Sequence, residues 1–170
     1  YEIAMKGVST DGKGLRFLNE KLRKNKEIVL AAVRENGKAL KFADQSLQKD
    51  KEIVLAAINE DGEALEFVDK TLQKNKEIVM IAVANSPTSL RFASKDFRND
   101  KALVLSLLKS VKDYERSYLL QCVGKELLKE IGKNAPIKYL TEVLKTEGES
   151  LPNIIDSNSV NTLTKKKIKP

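Results

Sequence analysis

The apolar positions of this chain recur at a fixed interval. KEIVLAAV at Lys26 to Val33 returns as KEIVLAAI at Lys51 to Ile58 and as KEIVMIAV at Lys76 to Val83, each 25 residues after the last. Written at that period, the apolar columns include Ile3, Ile28, Ile53, Ile78 and Leu103; Val8, Val33, Ile58, Val83 and Leu108; and Leu15, Leu40, Leu65 and Leu90. Self-similarity at this spacing is the mark of a stacked array, in which each unit buries its apolar face on the next.

Within one unit, Ile28 to Val33 are six consecutive apolar residues, more than the single stripe of a surface helix. Such a helix is expected to lie between the equivalent helices before and after it. The small column Gly7, Ala32, Ala57 and Ala82 allows the close approach this needs, and apolar burial at about 25 cal/mol per Å² is the expected source of stability.

Three further columns hold only helix-capping residue types. They are Asn25, Asp50, Asn75 and Asp100; Asp11, Asn36, Asp61 and Ser86; and Asn19, Asp44, Asp69 and Ser94. Side-chain oxygens of Asn, Asp and Ser accept from the unpaired N–H groups of a first helical turn, so three columns predict three helix starts per unit. These are a main helix near residues 26–35, a shorter one near 37–43 and a helical turn near 45–49. The glycine column Gly12, Gly37, Gly62 would also suit a left-handed helix end. Pro87 in the same phase instead favours a helix start, because its φ near −65° forbids the left-handed region. The column Phe17, Phe42, Phe67 and Phe92 is expected in the core against the main helix rather than as a base-stacking ladder.

Beyond Asp100 the pattern loosens. Lys101 to Leu105 keeps the main helix, but no Gly-x-Ala-Leu-x-Phe follows. Residues 114–131 read as one longer amphipathic helix, stopped by Gly132, with a second helix near 136–145 and a weaker stretch after Pro152. The predicted fold is therefore all-α: an α-solenoid-like array of 25-residue helical repeats over residues 1–108 and a C-terminal helical cap with a basic tail over 109–170.

Composition narrows the chemistry. The chain has no His and one Cys, Cys122, read as a buried small hydrophobe, so thiolate and imidazole metal sites and an intrachain disulfide are not expected. The carboxylates fall mostly in capping columns or, as Glu2, Glu27, Glu52 and Glu77, in the first turn of the main helix, where they favour the helix dipole. Neither a phosphate loop nor a nucleophile elbow is present. No catalytic residue, cofactor or small-molecule substrate is expected. The start at Tyr1, without Met or a leader, suggests a piece of a longer protein.

The net charge of +7 invites a phosphate-binding reading. The distribution weakens it: residues 51–75 carry three basic against six acidic side chains, and Lys165, Lys166, Lys167 and Lys169 supply four of the positive charges. That tail resembles a short nuclear-import signal and could equally contact phosphates or an anionic lipid surface, although basic tails are usually just solvated ends. More telling are columns that vary on the fixed scaffold. Arg34 and Asn59 share one phase, Lys38 and Glu63 a second, and Lys41, Glu66 and Arg91 a third. Variable chemistry on a common frame is how repeat proteins recognise extended partners. These seven residues are the candidate surface for a protein partner, with nucleic acid or an anionic membrane as the alternative.

The unit N/D-K-E-I-V-L-A-A-V-x-x-N/D-G-x-A-L-x-F, as it stands from Asn25 and from Asp50, resembles an uncharacterised bacterial and protist family of helical repeats, a domain of unknown function. By unit length it is also similar to the leucine-rich repeat variant. The first resemblance implies no activity. It does imply an interaction region of a larger bacterial protein, cytoplasmic, or delivered into a host cell if that protein is a secreted effector.

Overall fold

Each 25-residue unit folds as a main α-helix, an extended capping residue, a six-residue 3₁₀ segment and a short third helical turn. The computed structural model describes residues 1–130, so the expected helix near 136–145, the stretch after Pro152 and the lysine tail lie outside the described residues. The chain divides into two compact units, Tyr1–Phe92 and Ala93–Pro170. Among the described residues every regular element is helical.

In the first unit the main helices are α1 (Glu2–Thr10), α3 (Lys26–Glu35), α4 (Lys51–Glu60) and α5 (Lys76–Asn85), with the short α2 (Glu20–Arg23) between the first two. The caps stand where the sequence places them. Asn25 Oδ1 accepts from Ile28 N–H, Asp50 from Glu52 and Ile53, and Asn75 from Ile78. Each main helix then stops at Asp11, Asn36, Asp61 or Ser86, whose φ lies between −141° and −150°. The side chains of Asp11, Asn36 and Asp61 turn to accept from the N–H two residues on, opening the next helical segment. One residue thus ends one helix and caps another.

The second segments, Gly12–Phe17, Gly37–Phe42, Gly62–Phe67 and Pro87–Phe92, are 3₁₀ helices. Pro87 takes the first position, as its fixed φ allows. The N–H of Ala43 bonds Leu40 O, and the extended Ala43 then leads to the third turn. There Asp44 accepts from the backbone and the hydroxyl of Ser46, and Asp69 does the same with Thr71.

The units stack in two layers. Helix α3 packs on α1 and α4, and α4 on α5, while the 3₁₀ segments stack on one another and on the main helix of the following unit. Ile28, Val29, Ala32 and Val33 are buried, as are their equivalents in α4 and α5. Leu30 and Ala31 are only half-buried. The apolar run is covered on its two neighbour-facing sides and the inner side, but not all round.

The glycine column is explained by a collision. A Cβ on Gly12 would lie 2.3 Å from the backbone oxygen of Ala32; Gly37 and Gly62 stand in the same relation to Ala57 and Ala82, at 2.3 and 2.4 Å. None of the three adopts a left-handed backbone, so they do not serve as left-handed helix ends. They let the 3₁₀ segment of one unit touch the main-helix backbone of the next.

A buried polar column also emerges that the apolar pattern does not announce. Gln73 Nε2 donates to Leu65 O at 2.8 Å and Val68 O at 3.1 Å, and Gln48 reaches Leu40 O and Ala43 O. These amides reach the Ala43 and Val68 carbonyls at the break after the 3₁₀ segment and give the Leu40 and Leu65 carbonyls, already bonded by Ala43 and Val68 N–H, a second donor.

The second unit contains α6 (Lys95–Arg98), α7 (Lys101–Ser110), α8 (Asp113–Cys122) and α9 (Lys125–Glu130). The single helix expected over 114–131 is therefore two, broken at Val123 and Gly124. The cause is Asn99, whose Oδ1 accepts from Leu127 N–H and lies 2.0 Å from where a Cβ on Gly124 would be. Gly124 N–H donates to Arg98 O at 2.7 Å, the same bond that Asp44 makes to Arg23 and Asp69 to Gln48. In those units the acceptor precedes the donor by 21 residues, and here by 26. The repeat thus continues past residue 108, with α8 in place of the 3₁₀ segment and five residues added. Cys122 is buried, its Sγ donating to Tyr118 O.

Two substitutions test this packing. Gly37→Ala gains about 0.5–1 kcal/mol of backbone entropy, but overpacking typically costs about 1–3 kcal/mol, so net destabilisation is expected in chemical denaturation. Ser89→Ala should act oppositely, because the Ser89 hydroxyl is buried without a partner at a position where other units carry Ala39 and Ala64. A gain of about 1 kcal/mol is expected from removing that desolvated group.

Candidate interaction surface

Charged side chains on the first unit fall into ladders that climb one repeat per step. The first joins residue one of a unit to residue two of the next: Tyr1 hydroxyl to Glu27, Lys26 to Glu52 at 2.9 Å and Lys51 to Glu77 at 2.7 Å. Lys26 also holds Asp50 at 2.8 Å. A second ladder runs from Lys24 to Asp44 at 3.9 Å and from Lys49 to Asp69 at 3.6 Å. All these pairs are substantially exposed, so solvent screening leaves each of them weak. Their regularity matters more than their strength, since any slip of register would misalign every rung.

Lys38 and Glu63 are the rungs of a third ladder. Lys38 Nζ lies 3.0 Å from Glu63 and 3.3 Å from Asp61; Glu63 in turn accepts from Thr88 Oγ1 and Arg91 Nη2, each at 3.1 Å. The opposite charges in this sequence column are complements one repeat apart. The Lys38 ammonium holds the Glu63 carboxyl below the usual carboxylate range, with help from the Thr88 hydroxyl and the Arg91 charge. Hydrogen bonding to Lys26 lowers the carboxyl of Asp50 in the same way. A structural role accounts for Lys38 and Glu63.

Lys41 and Glu66 differ. Both are exposed and border an open depression where the third turn of one unit meets the 3₁₀ segment of the next, lined also by Gln45, Phe67 and Lys70. Lys41 Nζ stands 4.8 Å from the centre of the Phe42 ring and 5.9 Å from that of Phe67. Arg91 covers Phe92 at 4.5 Å. Such cation–ring contacts are worth about 0.5–1 kcal/mol at exposed sites. Arg34 and Asn59 are exposed near the ends of α3 and α4, and the Asn85 side chain bonds the Asn59 carbonyl. The structure brings together Lys38, Glu63 and Arg91 by ion pairing and Lys41 with Glu66 around the depression. Arg34 and Asn59 lie on the main helices instead.

The phenylalanine column is not the core position that its apolar neighbours suggest. Phe42, Phe67 and Phe92 are half-buried and Phe17 is exposed. Leu15, Leu40, Leu65 and Leu90, two residues earlier, occupy the core in their place. Spacing alone could not separate Leu from Phe, but the charged residue before each ring, Arg16, Lys41, Glu66 and Arg91, is a signal of a surface edge.

Among the described residues no group of three His, Cys, Asp or Glu side chains is placed to hold a metal ion, and no helix is long and apolar enough to cross a membrane.

Stacked units of fixed period, with recurring Asn and Asp caps and interunit ladders, define a helical repeat protein. The chain belongs to a family described as a domain of unknown function, DUF4116, whose model matches residues 1–48, 25–73, 50–98 and 75–128. Each match spans two repeats, and the last is longer, as the insertion in the fifth unit requires. No curated protein and no solved structure matches the chain.

The lowered carboxyls fix the sign of the pH response. Asp50 and Glu63 ionise in the fold below their ordinary values of 3.8 and 4.5, so their stabilisation is present above pH about 4.5 and is lost as pH falls through that range. The thermal midpoint should hold from pH 7 to 5 and drop below, with a shallower drop in Glu63→Gln.

Proposed function

We propose that the chain is a non-enzymatic module that binds a protein partner through the edge around Lys41 and Glu66, extended by Arg91 and by the exposed Arg34 and Asn59. The observation that carries this reading is the contrast between columns. Lys38 and Glu63 are spent on holding the stack together, whereas Lys41 and Glu66 differ in charge on a shared frame around an open depression. A charge column that changes sign between adjacent units suits a partner with its own sequence of charges better than a uniform phosphate backbone. Pairing of Lys24, Lys26, Lys38, Lys49 and Lys51 with carboxylates also lowers the positive potential left to attract nucleic acid or anionic lipid. On this reading the chain is the interaction region of a larger bacterial protein, of the effector type that its family resemblance implies.

The test is affinity capture with the full chain, set beside the double variant Lys41→Glu, Glu66→Lys. Specific capture should be lost by the variant while it stays folded, with the thermal midpoint lowered by no more than the few degrees that the lost cation–ring contacts account for. Retention of the same protein by both would refute the proposed edge. Binding to DNA, RNA or anionic vesicles that weakens steeply between about 50 and 200 mM salt would favour the phosphate-binding alternative instead.

A further inference from the structure

Lys41, Glu66 and Arg91 stand at one edge in successive units of Tyr1–Phe92, all exposed, with charges that alternate. Among the described residues no ion pair holds Lys41 or Glu66. Arg91 meets Glu63 through Nη2, and a guanidinium has further donors to offer. The Phe42 and Phe92 rings hold the two cations, 4.8 and 4.5 Å from the ring centres, so less side-chain freedom is lost when a partner pairs with them.

Packed helices lie about 8–10 Å apart, which sets the step from one unit to the next. An extended chain advances about 3.3 Å per residue, so roughly three of its residues span one step. We infer that the edge takes an extended peptide segment of a partner protein, laid across the units, with charges in the order acidic-x-x-basic-x-x-acidic. That order reads the same both ways, so Lys41, Glu66 and Arg91 fix the register of the segment and not its direction. The inference rests on the edge being a protein-binding surface, and adds the conformation and charge order of what it binds. An α-helix with charges at every seventh residue rises by about the same step. The depression beside Lys41 and Glu66 favours the extended form. The exposed Gln45 at its rim has a side-chain amide without a partner among the described residues. An extended segment has main-chain N–H and C=O groups to meet that amide, whereas a helix has used its own internally.

The experiment measures binding of labelled peptides to the full chain by fluorescence polarisation at low salt, where exposed charges are least screened. Glu-x-x-Lys-x-x-Glu, with Ser and Ala as spacers, should bind roughly ten-fold tighter than Lys-x-x-Glu-x-x-Lys, because three attractions become three repulsions. The Lys41→Glu, Glu66→Lys variant should instead prefer Lys-x-x-Glu-x-x-Glu. Equal affinity for the matched and reversed peptides, an unchanged preference in the variant, or no binding of any peptide would overturn the inference. Tighter binding of a helical peptide with the same charges at every seventh residue would overturn it too. The wider reading survives those failures if a protein captured by the full chain is still lost by the double variant, and falls with them if it is not.

Discussion

Contact between a glycine of one unit and a helix carbonyl of the next sets the spacing on which the other interunit contacts depend. With hydrogen alone at Gly12, Gly37 and Gly62, the 3₁₀ segment reaches the backbone of the following helix at Ala32, Ala57 and Ala82. That distance brings Ile28, Ile53 and Ile78 into complete burial and lets Lys26 and Lys51 span to Glu52 and Glu77. Individually the ion pairs are weak. Apolar burial supplies the stability, and the charged rungs select one register among those that burial alone would tolerate.

The doubled use of the capping residues explains how so short a unit makes three turns. Asn36 ends α3 with an extended backbone and then starts the next segment through its side chain. Gln48 and Gln73 complete the scheme by reaching back to the Ala43 and Val68 carbonyls at the break before them. Backbone polar groups at these breaks thus find partners within the unit or, as Asp44 N–H with Arg23 O and Asp69 N–H with Gln48 O, in the unit before, which offsets the cost of interrupting a helix so often.

Much of this was legible in the sequence because repetition averages out the ambiguity of any one segment. Four aligned copies made the caps, the main helix and the start at Pro87 readable, including the bounds of α3. The failures have physical causes. Phe17 and its column look like core by composition, but the Leu two residues earlier points inward, and a 3₁₀ turn differs from an α-turn in which of the two it buries. The break at Gly124 was hidden because its cause, Asn99, is distant in sequence. The pairing of Lys38 with Glu63 was hidden because residues 25 apart in one column meet only once the units stack. Lys41 and Glu66 of the neighbouring column stay exposed at the depression.

Most of the charged rungs also share a direction. In each interunit pair that Lys24, Lys26, Lys38, Lys49 or Lys51 makes, the lysine belongs to the earlier unit and the carboxylate to the later one. The Arg91–Glu63 pair of the third ladder runs the other way, from a later cation to an earlier carboxylate. A rung of either sense closes only across a separation of one repeat, so the ladders meter the rise between neighbouring units of Tyr1–Phe92 whichever way they point.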